Sequence, residues 1–332
     1  MIGAIAGDMI GSPYEAEGKQ IKTEDFELFT EESHFTDDTL MTLAVGEALL
    51  NALGPDAEPG RYLDDEDDDD EEEDDDEENG DDEEGDDSRI GHELIFDEFT
   101  GTLVGGEPPK IVPPDEEVFR RELIRSMQRL GRKYPNAGFG GNFLHWIYED
   151  DPKPYGSYGN GAAMRVSPIA WYFNEMDVVR RLARVSASVS HDHPEGIKGA
   201  EATAAAILLG RMGAPKEAIK GYIEQEFGYD LDHTVEEIRP GYQFDVSCQG
   251  SVPQAMICFL EGESFEDTVR MAVSLGGDSD TIAAIAGSIA EPEFPVPAYI
   301  AYEVITRLDD DLEELYATEE DHAGWIERLP VY

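Results

Sequence analysis

The chain has 332 residues, 40% of them apolar, and a formal net charge of -52 at pH 7. The apolar fraction is ordinary for a folded protein, so a substantial core is expected. A basic nucleic-acid footprint is absent, so nucleic acid is not an expected partner.

The N-terminal segment, MIGAIAGDMIGSPYE, is apolar but carries two acidic residues, Asp8 and Glu15. It has no basic region and Asp8 interrupts it early, so it lacks the pattern of a secretory signal peptide. No other stretch is long and uncharged enough to span a membrane. The only cysteines, Cys248 and Cys258, form no disulfide framework, and we expect them to pack in the core. A cytoplasmic monomer is therefore predicted.

The stretch from Asp64 to Asp87 consists of Asp and Glu apart from Asn79, Gly80 and Gly85. Charge repulsion and the lack of apolar side chains predict that it is disordered. We interpret residues 51–114 as an insertion in one domain, residues 1–332, whose core is 1–50 and 115–332. A solvated surface loop is the simplest role for this tract, and binding of a basic partner or of loosely held cations is the alternative.

Helical patterning dominates the rest of the chain and predicts an all-α fold in a single compact domain. Alternating strands are scarce, and residues 238–248 are the one weak candidate. Apolar residues recur at helical spacing in residues 40–50, 117–134, 176–190, 196–213, 215–227, 251–262, 265–276 and 280–291.

Two short clusters of acidic and hydroxyl residues each begin an apolar helix. Carboxylate and hydroxyl oxygens are the ligands that hard divalent cations such as Mg²⁺ and Mn²⁺ prefer. Thr36, Ser279 or Asp278 could instead merely cap their helices, as these residue types commonly do. Two such clusters in one chain favour a shared metal site. The residues are Thr36, Asp37 and Asp38 in HFTDDTLM, and Asp278, Asp280 and Thr281 in SLGGDSDTIAA.

A haloacid-dehalogenase phosphatase also uses two aspartates one residue apart, but its pattern differs from this one. There the threonine stands two positions after the second aspartate, and the motif follows an apolar strand. Here Thr281 follows Asp280 directly and two glycines, Gly276 and Gly277, precede the cluster. That class of enzyme is therefore excluded.

A glycine-rich segment, YGSYGNGAAMRVSPIAW, begins at Tyr155. Glycines let backbone N–H groups approach a ligand closely, which suits a diphosphate, although a plain turn before a helix near Met164 is the alternative. Further along, His191 and His193 lack a third nitrogen or sulfur ligand nearby, so zinc is not expected. We interpret His191 as a hydrogen-bonding or structural residue.

Taken together and in this order, these segments resemble the ADP-ribosylglycohydrolase family, which includes the dinitrogenase reductase-activating glycohydrolases. The resemblance rests on GD followed by GSPYE, on TDDT, GSYGNGAAMR, a Ser-His step and GGDSDT, and it covers the chain except about residues 51–114. It implies a compact helical domain with a central cleft for two divalent cations, Mg²⁺ as the first choice and Mn²⁺ as the second.

The resemblance also implies roles for individual residues. Glu15 matches the acidic residue of the family's mobile flap, to which an acid/base role is given, and Asp8 matches an acidic position just outside the metal ligands. His191 matches a histidine of the ligand pocket. Thr36, Asp37 and Asp38 would bind metal from one side and Asp278, Asp280 and Thr281 from the other, while Gly156, Ser157, Tyr158, Gly159 and Asn160 match the loop that cradles the diphosphate.

The implied activity is hydrolysis of the N- or O-glycosidic bond at C1″ of ADP-ribose, with an ADP-ribosylated protein or an ADP-ribosyl small molecule as substrate. Glu15, Asp37 or Asp280 would manage the proton of the water or of the leaving group. Arginine, serine, an acetylated ribose and a nucleic-acid base are all compatible leaving groups. Two other functions remain possible at this point: a catalytically silent ADP-ribose-binding protein on the same fold, and a metal-dependent phosphoester hydrolase.

Overall fold

The computed structural model describes residues 1–54, 95–97, 102–104 and 111–327, and the predicted disordered tract at 64–87 lies outside these ranges. The predicted all-α fold is confirmed, and every segment predicted from helical spacing lies largely within a helix. The described part of the chain contains one 3₁₀ helix (Asn160–Ala162) and fourteen α-helices: α1 (Ile2–Glu15), α2 (Asp37–Leu53), α3 (Glu116–Lys133), α4 (Gly141–Tyr148), α5 (Ser167–Tyr172), α6 (Met176–Ser188), α7 (Pro194–Arg211), α8 (Lys216–Phe227), α9 (Val235–Ile238), α10 (Cys248–Glu261), α11 (Phe265–Ser274), α12 (Ser279–Ala290), α13 (Ala298–Ile305) and α14 (Asp310–Glu327).

Extended structure is limited to one small antiparallel pair in the described residues. Strand β1 (Ile95–Asp97) pairs with β2 (Thr102–Val104) inside the predicted insertion. The insertion was predicted to begin at residue 51, and α2 continues three residues into it. The weak strand prediction at 238–248 is wrong, because α9 ends and α10 begins within it. One isolated antiparallel bridge joins Gly159 to Ser247 there. The segment is extended only where it meets the glycine-rich turn.

The backbones of α1 and α12 lie in direct contact, because small residues of α1 face α12 at every fourth position. A Cβ added to Gly7 would lie 2.1 Å from the carbonyl oxygen of Ala283, and one added to Gly11 would lie 2.5 Å from the Cα of Asp280. Residues four apart share one face of a helix, so these glycines form a continuous groove for α12. The close packing brings the C-terminal half of α1 beside the first turn of α12.

Helix α2 is buried along most of its length, and it lies between α1, α3, α5 and α14. On the other side of the domain α7, rich in alanine, packs against α6, α10 and α12. The apolar side chains of these helices form one continuous core. Both cysteines are buried in it, as predicted. In the described part of the chain no helix combines the length and the apolar character needed to cross a bilayer.

Candidate metal centre and ligand cleft

Asp8, on α1, is a buried carboxylate that holds the start of α2. Its oxygens accept hydrogen bonds from the backbone N–H groups of Thr36 (2.9 Å) and Thr39 (3.1 Å), and from the hydroxyls of both threonines. Burial raises the pKa of Asp8 above its ordinary value, although these hydrogen bonds oppose the shift. Four donors leave this carboxylate little capacity for another partner, so its main effect is to position α2.

The start of α2 presents Asp37 and Asp38 toward the centre of the domain. Thr36 caps the helix, since its hydroxyl accepts from the backbone N–H of Asp38 at 3.3 Å. Asp38 is 2% exposed. Its Oδ2 accepts from the hydroxyl of Thr281 at 3.1 Å, while its Oδ1 is buried without a hydrogen-bond partner among the described residues. A buried oxygen without a protein donor is satisfied by a bound water or by a cation.

The start of α12 is shaped by its backbone. Gly276 and Gly277 have φ values of 66° and 74°, in the left-handed region that favours glycine. Asp278 follows at the N-cap position, but its side chain makes no capping bond. Its Oδ2 accepts instead from the side-chain amide of Asn160 at 2.6 Å. The capping interpretation therefore holds for Thr36 and not for Asp278, which faces away from its own helix.

The packing of α1, α2 and α12 gathers these carboxylates into one cluster. Oxygens of Asp8, Asp38 and Asp280 all lie within 4.8 Å of one another, and so do oxygens of Glu15, Asp278 and Asp280. No Lys or Arg of the described residues forms an ion pair with any of them. Asp37, half-buried, lines the cleft beside them.

Burial and mutual repulsion raise the pKa values throughout this cluster. The pKa of Asp278 rises to about 6, first because of burial. Burial followed by neighbouring carboxylates also raises the pKa values of Asp37, Asp38 and Asp280 well above the ordinary value, and that of Glu15 less strongly. Carboxylates this close to one another all remain ionised only if a cation binds among them.

The donor set fits divalent cations with a preference for oxygen. Every side chain in the cluster offers carboxylate or hydroxyl oxygen, as Mg²⁺ and Mn²⁺ favour. His193 lies elsewhere, because its Nδ1 accepts from the backbone N–H of Glu195 and caps α7.

The cluster forms the floor of a cleft of about 410 Å³. Of the predicted ligand loop, Ser157, Gly159 and Asn160 line the cleft, whereas Gly156 and Tyr158 do not. The N–H of Gly156 bonds to a side-chain oxygen of Asp192, and the Tyr158 side chain is exposed. His191 lines the cleft. Thr36 does not, because it is buried with its hydroxyl donating to Asp8.

Sequence reasoning missed much of the rest of the cleft lining. Gly138, Gly140 and Gly141 line the cleft at the start of α4, and a Cβ on Gly138 would lie 3.1 Å from Oδ1 of Asp37. The glycine pattern GFGGN was a signal that could have identified this part of the lining. The other lining residues outside the predicted set are Met41, Asn142, Phe143, Tyr155, Gly161, Met164, Arg165, Phe244 and Val246.

Comparison with known proteins places this geometry in a family. A sequence model described as ADP-ribosylglycohydrolase matches residues 1–290. An ADP-ribosylhydrolase ARH3 from Mus musculus is 31% identical over 180 residues, which cover 41% of this chain and 49% of the relative. An uncharacterized protein from Archaeoglobus fulgidus is 32% identical over 148 residues, covering 39% and 47%. The chain thus spans about half the length of these relatives.

A solved structure titled ADP-ribosylglycohydrolase-related protein complex has the same fold. It superposes with a TM-score of 0.57 and 21% sequence identity, covering 98% of this chain and 95% of the other. The likeness extends over nearly the whole chain, in agreement with the helical architecture described above.

Proposed function

This chain belongs to the ADP-ribosylglycohydrolase family, and on that premise we propose that it is a divalent-metal-dependent hydrolase of the glycosidic bond at C1″ of an ADP-ribosyl group. Its substrate is an ADP-ribosylated protein or an ADP-ribosyl small molecule, and its product is free ADP-ribose. The observation that carries the proposal is the carboxylate cluster, with which no Lys or Arg of the described residues forms an ion pair and which lies at the floor of an open cleft.

The proposed metal ligands come from both helix starts. Asp37 and Asp38 would hold cations from α2 with Thr36 behind them, and Asp278, Asp280 and Thr281 would hold them from α12. Bound cations would supply Lewis-acid chemistry and lower the pKa of a coordinated water. Mg²⁺ and Mn²⁺ both favour this oxygen donor set. Mg²⁺ is our first choice and Mn²⁺ the second.

Proton transfer is assigned to the carboxylates that face the cleft. Glu15 is the first candidate, because it lies at the end of α1, is half-buried, and lines the cleft beside Asp278 and Asp280. Burial and the charge of Asp8 raise its pKa, which favours an acid/base role near neutral pH. Asp37 and Asp280 remain the alternatives for the same step.

Binding of the diphosphate is assigned to backbone N–H groups of two segments that line the cleft. In the turn at Ser157, Gly159 and Asn160, the N–H groups of Gly159 and Asn160 already donate to Oγ of Ser157 and to the carbonyl oxygen of Val246, which leaves that of Ser157 for a ligand. The second segment is the N-terminus of α4, where Gly140 occupies the cap position without a side-chain hydrogen bond. Uncapped N–H groups at a helix start attract anions.

A panel of defined conjugates tests this function. ADP-ribosyl-arginine, ADP-ribosyl-serine, O-acetyl-ADP-ribose and an ADP-ribosylated base would each be incubated with the protein and Mg²⁺ or Mn²⁺. We expect release of ADP-ribose from at least one of them, and loss of this release after chelation. Binding of ADP-ribose without release from any conjugate would indicate a silent binding protein, and release of phosphate would indicate a phosphoester hydrolase.

A further inference from the structure

Arg165 is a fully buried cation that lines the ligand cleft. Its guanidinium donates through Nη1 to the carbonyl oxygen of Gly161 (2.9 Å), and through Nη2 to the carbonyl oxygen of Ser186 (2.7 Å) and to Oγ of Ser190 (3.1 Å). None of these acceptors carries a charge, and no carboxylate of the described residues pairs with it. Burying an unpaired cation is costly, which suggests that these hydrogen bonds serve the site.

The hydrogen bond from Arg165 to Ser190 determines the direction of the hydrogen bond between Ser190 and His191. A guanidinium can only donate, so Oγ of Ser190 accepts from it and still has one hydrogen of its own to give. Oγ lies 2.8 Å from Nδ1 of His191, and residues 1–54 and 111–319 offer the hydroxyl no second acceptor. The Ser190 hydroxyl therefore donates to Nδ1, which must carry no proton.

His191 then holds its proton at the other ring nitrogen. Burial, followed by the charge of Arg165, lowers the pKa of His191 well below its ordinary value of 6.5, so the ring is neutral at neutral pH. A neutral imidazole with a bare Nδ1 is protonated at Nε2. Nε2 would lie 3.3 Å from a Cβ added to Gly159 or to Gly161, two glycines that line the cleft. No described residue accepts a hydrogen bond from Nε2.

We propose that Arg165 and Ser190 are positioning residues that fix the tautomer of His191, which presents a neutral Nε2–H donor to an acceptor oxygen of the bound ligand. The acceptor is a phosphate or ribose hydroxyl oxygen held at the glycine-rich turn, so this inference rests on the proposed function for the identity of the ligand. A nitrogen that already carries a hydrogen cannot act as a base. His191 therefore binds, and proton transfer is left to the carboxylates.

The tautomer is measured without any ligand, by ¹⁵N NMR of protein labelled at its seven histidines. The His191→Gln spectrum identifies the His191 signals. We expect a bare Nδ1 and a protonated Nε2 from pH 6 to 8 in the unmodified protein, and a mixture of tautomers in Ser190→Ala. Ser186→Ala is the matched control, because it removes a buried hydroxyl without a partner from the same helix region. A protonated Nδ1 in the unmodified protein, or an unchanged pattern in Ser190→Ala, would overturn the proposal.

Calorimetry with ADP-ribose then tests the consequence for binding. Ser190 is fully buried and does not line the cleft, so a loss of affinity in Ser190→Ala acts through the cleft-lining residues that it bonds, His191 and Arg165, and a simultaneous change of the His191 tautomer assigns the loss to His191. We expect the Kd to rise by about three- to tenfold, as for one hydrogen bond, with recovery in Ser190→Thr and no change in Ser186→Ala. Equal affinity in Ser190→Ala and unmodified protein would count against the donor role. If ADP-ribose does not bind the unmodified protein, the proposed function fails, while the NMR result still decides the tautomer.

Discussion

The starts of α2 and α12 carry the same kinds of ligand side chain but are supported in different ways. At α2 the support comes from a side chain, because Asp8 accepts backbone and hydroxyl hydrogen bonds from Thr36 and Thr39. At α12 it comes from the backbone, because two successive glycines with positive φ turn the chain immediately before Asp278.

Helix α1 contributes one carboxylate to each side. Asp8 contacts the α2 side, and Glu15 lies with Asp278 and Asp280 on the α12 side. Asp8 is saturated by donors and buried, whereas Glu15 faces the cleft. The same cluster therefore combines a structural carboxylate and a chemically available one. Substitution of Asp8 should therefore change metal affinity and stability, whereas substitution of Glu15 should change the catalytic rate.

Removing one ligand from either side should have the largest effect. Asp37→Ala and Asp278→Ala are each expected to lower ADP-ribose release by more than about 100-fold, because even residues that only support metal ligands contribute 10- to 100-fold. Helical content measured by circular dichroism should be retained. Normal turnover by either variant would contradict a centre shared between α2 and α12, and so would activity that survives exhaustive chelation.

Exchanging the two carboxylates of α1 for amides should separate chemistry from support. Glu15→Gln is expected to lower kcat by about 10² to 10⁴-fold with a much smaller change in ADP-ribose affinity, because the amide keeps the shape but cannot move a proton. Asp8→Asn should lower metal affinity by about 10- to 100-fold and lower the Tm, because it disturbs the hydrogen bonds at α2. Equal losses of rate and affinity in Glu15→Gln would make Glu15 a binding residue.

The backbone support at α12 should respond to a single methyl group. Gly277→Ala is expected to lower the free energy of unfolding by about 1–3 kcal/mol, because its φ is strained for alanine and a Cβ would lie 2.8 Å from the ring of Tyr242. Gly18→Ala is the matched control, with φ of 84° and no atom within 4 Å of the added Cβ. Chemical denaturation measures both. An equal loss in the two variants would show that the Tyr242 contact contributes nothing.

The raised pKa values predict how the metal-free protein responds to pH. The pKa of Asp278 is raised from 3.8 to about 6 in the folded protein. The folded state therefore holds more protons than the unfolded state between these values, and this contribution to stability is complete below about pH 4 and lost as pH rises through 6. With chelator present, the Tm should rise as pH falls from 8 to 5.

Asp278→Asn should flatten this slope, and Asp150→Asn, at an exposed position, should not. At pH 8 added Mg²⁺ or Mn²⁺ should raise the Tm of the unmodified protein, because a ligand that binds only the folded state stabilises it. A metal-free Tm that falls between pH 8 and 5 would contradict the assigned carboxylate environment.

The smallest effect on turnover is expected from the acidic tract. Replacing residues 64–87 with a short Gly/Ser linker removes 21 acidic residues, the 24 positions less Asn79, Gly80 and Gly85. Turnover of a small ADP-ribosyl substrate should be nearly unchanged, because charges of the tract that lie further than about 8 Å from the cleft are screened from it at physiological ionic strength. Solubility and its salt dependence should change more. A folded variant that has lost most of its turnover would make the tract part of the active site.

Helix α1 shows why part of the fold could not be predicted from local pattern. Glycines at positions 3, 7 and 11 and Pro13 all disfavour a helix in isolation, so periodicity gave no prediction there. The same glycines are required by the approach of α12, where even a methyl group on Gly7 would meet the backbone of Ala283. Tertiary packing outweighs the local propensity.

The sequence by itself determined the helical class and the oxygen-donor chemistry of the acidic clusters, because apolar spacing and oxygen donors are properties of short segments. Only the tertiary structure decided which of these residues meet. Thr281 bonds to Asp38 across 243 positions of the chain, Asp8 is occupied by the threonines of α2, and Arg165 donates to Ser190 across 25 positions. These outcomes depend on the distances and directions of hydrogen bonds between distant segments, which no local pattern specifies.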